Sequence, residues 1–304
     1  MSATVIPFAE GQACLDWMDL TRAIAAGHDL PPAQIKDVLI YRDKDTLLNR
    51  SAWIDGMGVA VKACTIMPGN PARGRPMVNG AVNLFSDETG ALEALVDFHL
   101  VTKWKTAGDS LLAATRLARP DSRKVLIVGA GTVGRSLVEA YGAGFPGATF
   151  TIWNRSPEGA ARFAAEVPGV AVATDLQAAV AEADIIACAT MSSTPVLQGD
   201  WLHPGQHVDL IGAYRPDMRE ADDAVMARGR VFVDALGTTV EHIGELIQPI
   251  AAGVLAPGDI VADFRNLAAF SRKTPEDITV FKNGGGAHLD LMVSRYILEA
   301  WNAR

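Results

Sequence analysis

Lys124–Ser156 reads KVLIVGAGTVGRSLVEAYGAGFPGATFTIWNRS. The apolar run Val125–Val128 stops at Gly129-Ala-Gly131-Thr132-Val133-Gly134, a GxGxxG turn. A helical pattern follows, with Leu137, Val138 and Tyr141 spaced to pack on a sheet, and Ala148–Trp153 is a second apolar run. Strand, glycine turn, helix and strand in that order are the setting in which GxGxxG marks a dinucleotide site. Gly129 permits the tight turn, Gly131 lets the backbone approach a pyrophosphate, and Gly134 lets helix and strand pack closely. The helix N-terminus offers free N–H groups to the phosphates.

The end of the second run selects the nucleotide. In NAD sites an acid about 20 residues past the glycines holds the ribose 2′-hydroxyl. Here that place carries Asn154-Arg155-Ser156. There is no carboxylate to repel a 2′-phosphate, and there is a guanidinium that can fork onto it. NADP(H) is the expected cofactor, with NAD(H) second. The competing reading is an Arg155 that is merely solvated.

Outward from this stretch, Ser122 to about Asp277 alternates short apolar runs with helical patterns. Strands are expected at Val125–Gly129, Thr149–Trp153, Val170–Ala173, Asp184–Thr190, His207–Gly212 and Arg230–Asp234. Helices are expected at Gly131–Ala143, Pro157–Val167, Asp175–Glu182 and Arg219–Arg228. Six strands with helices between them predict a doubly wound parallel Rossmann sheet in an α/β protein. Thr238–Ala256 reads as a longer helix bent at Pro249.

The first 118 residues do not form a βαβ array. Helical spacing covers Cys14–Ala26 and Leu100–Leu117, with Pro31-Pro32 breaking the first. Strands are expected at Val38–Arg42, Met57–Met67, Val78–Phe85 and Ala91–Val96, with turn chemistry at Pro68–Pro76. The tail holds Ile278–Phe281, an Asn283–Gly286 loop and a helix His288–Asn302, expected to pack back on the N-terminal part. The domain expectation is 121–278 for the nucleotide and 1–120 plus 279–304 for a discontinuous α+β domain.

At 304 residues the chain can hold two domains with real cores. A net charge of −8 argues against nucleic acid or an anionic membrane surface as the main partner. Cys14, Cys64 and Cys188 are scattered, without a CxxC pair, so neither a disulfide framework nor a metal site is expected. The N-terminal stretch lacks a basic region and is interrupted by Glu10 and Asp16, so neither signal peptide nor anchor is expected. No apolar run approaches the length of a membrane span, and a cytoplasmic setting is expected.

Two lysines stand apart. Lys62 lies within the otherwise apolar MGVAVKACTIM, where a charge is costly unless paired or bound to ligand. Lys105 lies in Thr102-Lys103-Trp-Lys105-Thr106-Ala107, near a helix start, where a solvated lysine is the plain alternative. With these the chain resembles the ornithine cyclodeaminase/mu-crystallin family. Matching stretches are Val61-Lys62, Pro68-Gly69-Asn70-Pro71, Leu84-Phe85, Asp87–Gly90, Thr102-x-x-Lys105-Thr106-Ala107 and GAGTVG. Ser193-Thr-Pro195-Val-Leu197, Gly212–Glu220, and Phe281-Lys282 with Asp290 complete them in order over nearly the whole chain.

The resemblance implies an NAD(P)-binding domain joined to a substrate domain that also makes a homodimer. It implies chemistry on α-amino acids and their imines. Lys62 matches the family's active-site lysine, and Lys105 stands where the family usually has a carboxylate-binding arginine. Positive charge survives that change but the bidentate fork is lost, so Arg42 or Asn79 is expected to help, with Asp290 also on the substrate side. The cofactor set implied is Gly129, Gly131, Thr132, Val133, Gly134, Asn154, Arg155, Ser156, Thr190, Ser192, Ser193, Gly212, Tyr214 and Gly285. Cyclodeaminases carry an aspartate after the Gly-Ala pair that ends a strand; here Gly212-Ala213 is followed by Tyr214. A phenol offers no charge to hold a second amine. The leading expectation is NADPH-dependent reduction of a cyclic ketimine, Δ1-pyrroline-2-carboxylate or its six-membered homologue. An amino-acid dehydrogenase or cyclodeaminase is second, and a non-catalytic NADP-dependent binding protein is third.

Overall fold

In a computed structural model, which describes residues 3–304, the chain divides into two units. One is Met1–Lys105 with Gly286–Arg304, and the other is Thr106–Gly285. Both boundaries differ from the expected 120/121 and 278/279.

The first unit is built on a six-stranded sheet of β1 (Thr4–Ile6), β2 (Gln34–Arg42), β3 (Asp45–Ile54), β4 (Gly58–Ile66), β5 (Val78–Phe85) and β6 (Leu92–Asp97). Their order is β1-β6-β5-β4-β3-β2; β1 joins β6 in parallel and every other pair is antiparallel. One face is buried, as β4 shows: Ala60, Lys62 and Cys64 are buried, while Val59, Val61 and Ala63 are only partly so. That is the two-residue period of a sheet with one covered face. The helix Ala287–Asn302 packs on β3, β4 and β5 and on the helix Trp17–Asp29. Asp16 caps the latter, accepting from the Met18 and Asp19 amides at 2.8 and 2.9 Å.

Two strands had not been expected here. β1 is too short to show a period, and in β3 the run Asn49-Arg50-Ser51 interrupts the apolar alternation. β2 begins at Gln34, two residues after Pro32 and four before the expected Val38.

The second unit is a seven-stranded, wholly parallel sheet. Its strands are β7 (Lys124–Val128), β8 (Thr149–Trp153), β9 (Val170–Val172), β10 (Ile185–Cys188), β11 (His207–Leu210), β12 (Arg230–Val233) and β13 (Thr279–Lys282). The order β12-β13-β11-β10-β7-β8-β9 reverses direction between β7 and β10, the crevice where such sheets bind ligands. β13 corrects the domain expectation. Instead of leaving with the tail, it fills the gap between β11 and β12 as a fully buried seventh strand.

Two helices are also corrected. Thr238–Ala256 is not continuous: Leu236–Thr239 and Gly244–Ala251 are separate, with Pro249 inside the second. A Cβ at Gly244 would lie 2.3 Å from the Pro216 carbonyl, so packing there dictates the glycine that parts them. The segment expected at Arg219–Arg228 is helical only over Asp223–Arg228, where Asp222 accepts from the Val225 amide. Among the described residues no helix is long and apolar enough to cross a membrane.

Candidate active site

The carboxyl ends of β7, β8, β10 and β11 surround a cleft of about 510 Å3 in the second unit. Its glycines meet three different demands. Gly129 has φ +116° and a Cβ there would lie 2.7 Å from the Ala189 carbonyl. A Cβ on Gly131 would touch nothing within 4 Å and project into the cleft. One on Gly134 would lie 2.6 Å from the Gly129 carbonyl. The helix Thr132–Gly144 begins at this turn with no side-chain cap, leaving its first amides to a ligand. The donor set therefore fits the pyrophosphate of a dinucleotide.

Of the expected cofactor residues, Gly129, Gly131, Thr132, Val133, Asn154, Arg155, Thr190, Ser192, Gly212 and Tyr214 line the cleft. Gly134 lies behind the turn, and Ser156, Ser193 and Gly285 are outside the lining. Asn154 is committed to the backbone, accepting from the Ala130 amide at 3.1 Å and donating to the Ser156 carbonyl. Arg155 is exposed at the rim, and no carboxylate engages it among the described residues. Ser156 caps the next helix and donates to Glu158, a carboxylate near this rim that the sequence comparison with NAD sites passed over. Gly285 has another reason to be glycine. It sits at φ +66°, and Gly284 presses on the Thr239 hydroxyl, where a Cβ would come within 2.2 Å.

Sequence reasoning missed the groups that hold this cleft in shape. Glu220 is fully buried and accepts from the Thr190 amide at 2.6 Å, the Thr190 hydroxyl at 2.7 Å and the Gly212 amide at 2.6 Å. One carboxylate thus ties together the loops after β10 and β11. Burial lifts the Glu220 carboxyl to about 7, with Lys282 and the Thr190 donors pulling the other way. Glu245 accepts from the Glu220 and Ala221 amides, and Asp234 accepts from the Gly284 and Gly285 amides. Glu220 could have been flagged as the acid closing GAYRPDMRE, but nothing local says that it turns inward.

The first unit holds the second cluster. Lys62 and Lys105 are each 7% exposed and both reach Oδ1 of Asp290, which is 1% exposed, at 3.1 and 2.9 Å. Lys62 also donates to the Thr102 hydroxyl at 3.3 Å and lies over the Phe98 ring. Oδ2 of Asp290 is buried with no hydrogen bond among the described residues. Burial would raise the Asp290 carboxyl, but Lys105 and Lys62 bring it down to about 2. Burial lowers the Lys105 ammonium to about 8, against the opposing pull of Asp290. Near neutral pH the charged Asp290 carboxylate is therefore held between two lysine side chains, with one acceptor oxygen to spare.

Arg42 and Asn79 do not join it. Arg42 ends the edge strand β2, its side chain 76% exposed and paired with Asp45. Asn79 is exposed and donates to the Pro76 carbonyl. Among the described residues no group of His, Cys, Asp and Glu could hold a metal ion.

A parallel sheet with a glycine turn at its switch point defines a dinucleotide-binding fold. The model of the ornithine cyclodeaminase/mu-crystallin family matches residues 48–304, and the chain belongs to that family. It is 49% identical over 300 residues to a Δ1-pyrroline-2-carboxylate reductase of Paracoccus denitrificans, covering 96% of this chain and 95% of the relative. Among solved structures it superposes with a TM-score of 0.89 on the Thermococcus litoralis Δ1-pyrroline-2-carboxylate reductase bound to NADH and L-proline. Identity there is 23%, and 99% of this chain and 98% of that one are covered. An archaeal alanine dehydrogenase dimer with bound NAD also gives 0.89, at 25% identity and 100% and 97% coverage.

Proposed function

We propose that the protein reduces Δ1-pyrroline-2-carboxylate to L-proline, with the six-membered ketimine as a second substrate, giving L-pipecolate. The observation that carries this is the pair of lysines on one buried carboxylate, Lys62 and Lys105 on Asp290. The near-full-length relative named for this reaction supports the choice of substrate. The dinucleotide, when bound, supplies the hydride for the C=N carbon.

The chain's own groups do the rest. Lys62 and Lys105 hold the carboxylate and so fix the ring's orientation. A protonated imine is the better hydride acceptor, and its N–H is the donor that the unpartnered Oδ2 of Asp290 lacks. Held near pH 2, Asp290 stays charged and favours that iminium. The proton that makes the iminium comes from the Lys62 or Lys105 ammonium before the hydride arrives, and the lysine regains it from solvent. Nothing at Tyr214 offers charge to a second amine, which ornithine would bring and a cyclic imine does not. Open-chain amino acids are therefore the weaker substrates.

NADP(H) is the preferred cofactor in this proposal, because Arg155 is free at the rim to meet a 2′-phosphate. A homodimer is part of it too. β2 is an edge strand exposed along its whole length, with Val38 and Ile40 on one face, Ile35, Leu39 and Tyr41 on the other, and Tyr41 69% exposed. An unpaired apolar edge of this kind calls for a second copy. The activity is tested by adding NADPH and the five-membered ketimine. Wild type consumes NADPH, and Lys62→Ala binds NADPH but does not; a fast Lys62→Ala enzyme would defeat the assignment.

A further inference from the structure

Lys282 closes β13 and is fully buried. Its register partners are Leu210 on β11 and Val233 on β12, both members of an apolar layer that also holds Ala221 and Leu246. Partners across a parallel pair project to the same face, so the Lys282 side chain enters this layer. There it donates to the Leu210 carbonyl at 2.8 Å. One neutral acceptor does not compensate a charge lodged among apolar side chains.

Two carboxylates share these surroundings. Glu220 and Glu245 are fully buried and adjoin Ala221 and Leu246 in the chain. Glu245 accepts from the Glu220 and Ala221 amides at 2.7 and 2.9 Å, which locks the two acids together. At both of them the Lys282 charge is the strongest influence opposing burial. It also reaches Asp209, Asp234 and Cys188, while Arg219 reaches Glu245. Asp209 already has the Tyr141 hydroxyl, and Asp234 has the Thr239 hydroxyl with the Gly284 and Gly285 amides. One buried cation therefore stands against two coupled carboxylates, and one of these is the acid that ties Thr190 to Gly212 beside the cleft.

We propose that Lys282 is a positioning residue for the dinucleotide cleft. Its ammonium keeps Glu220 charged and accepting, and so sets the pH at which the loops after β10 and β11 come untied. This rests on a dinucleotide in the cleft, whichever imine is reduced.

The test uses Lys282→Gln, which keeps a donor for the Leu210 carbonyl but no charge, and Lys282→Met, which keeps neither. NADPH dissociation constants are measured from mildly acid to mildly alkaline pH, with folding followed by circular dichroism. Losing a close opposite charge raises a carboxyl by about 1–3 units, so the acid limb of NADPH binding moves up by that amount in both variants. Near pH 7, where wild-type Glu220 is half deprotonated, a shift of one unit weakens binding about fivefold. Above the shifted limb wild-type affinity returns. A purely structural lesion would weaken binding equally at every pH and spare Lys282→Gln. A folded Lys282→Gln whose acid limb stays at the wild-type position overturns the assignment.

Thermal melts supply a reading that needs no ligand. A carboxyl raised above its unfolded value contributes stability at acid pH that is lost as pH rises through the folded value. Glu220 and Glu245 are both raised and rise further without Lys282, so the Tm deficit of each variant widens toward alkaline pH. A deficit constant with pH overturns the assignment. If wild type binds no dinucleotide, the cofactor reading fails and the melts alone decide Lys282. Should neither single variant fold, the double change Lys282→Met with Glu220→Gln removes one charge of each sign. Its folding supports the charge balance, and its failure overturns it.

Discussion

Replacing Glu220 by Gln removes the tie between the loops after β10 and β11. The native carboxylate accepts three hydrogen bonds at 2.6–2.7 Å, two from Thr190 and one from the Gly212 amide. Glutamine keeps one acceptor oxygen and turns an NH2 toward at least one of these donors. An unpaired buried donor costs about 1–3 kcal/mol. Gly212 cannot move closer to escape, since a Cβ there would already lie 1.7 Å from the Thr190 carbonyl, so the loops must part. Both line the dinucleotide cleft, and the cost expressed there weakens NADPH binding roughly 5- to 150-fold. Fluorescence titration gives the dissociation constant, and KM for the imino acid serves as the control that should not follow it. A pH series adds a second signature. Glu220 titrates near 7, so below that pH the protonated carboxyl loses acceptor capacity and wild-type NADPH affinity falls, whereas Glu220→Gln stays flat. A folded Glu220→Gln with wild-type affinity for NADPH at every pH would refute the role.

Three further outcomes are expected. Arg155→Asp should lose about 1.5–3 kcal/mol toward NADPH and little toward NADH, a roughly 10- to 150-fold change in the ratio of their KM values; an unchanged ratio removes Arg155 from the 2′-phosphate. Lys105 is charged below about pH 8 and neutral above it, so KM for the imino acid should climb on the alkaline side, and Lys105→Arg should push that climb to higher pH; identical profiles would take Lys105 out of carboxylate binding. Charging the exposed edge with Val38→Glu and Ile40→Lys should shift the protein to monomer in sedimentation velocity, and an unaltered dimer would place the interface elsewhere.

The nucleotide unit was legible because each of its signals is local. Gly129, Gly131 and Gly134 sit between two apolar runs, and every expected strand from Val125 to Asp234 is found at or within a few residues of its place. β13 was misassigned because an insertion between β11 and β12 joins residues about 70 and 50 positions apart, which no local pattern records. On the substrate side, Lys62 showed itself as a charge in an apolar strand, and Asp290 came only with the family resemblance. β3 stayed hidden for a physical reason: Asn49-Arg50-Ser51 interrupts its apolar alternation, and the register that sets Arg50 opposite Lys62 is not a local signal.

The most direct measurement follows nicotinamide absorbance while purified protein meets NADPH and Δ1-pyrroline-2-carboxylate, with L-proline quantified, beside a parallel reaction of ornithine and NAD⁺ assayed for ammonia. The account predicts stoichiometric NADPH oxidation and L-proline formation in the first and little or no ammonia in the second. Proline and ammonia formed together from ornithine, at a rate matching imine reduction, would contradict it.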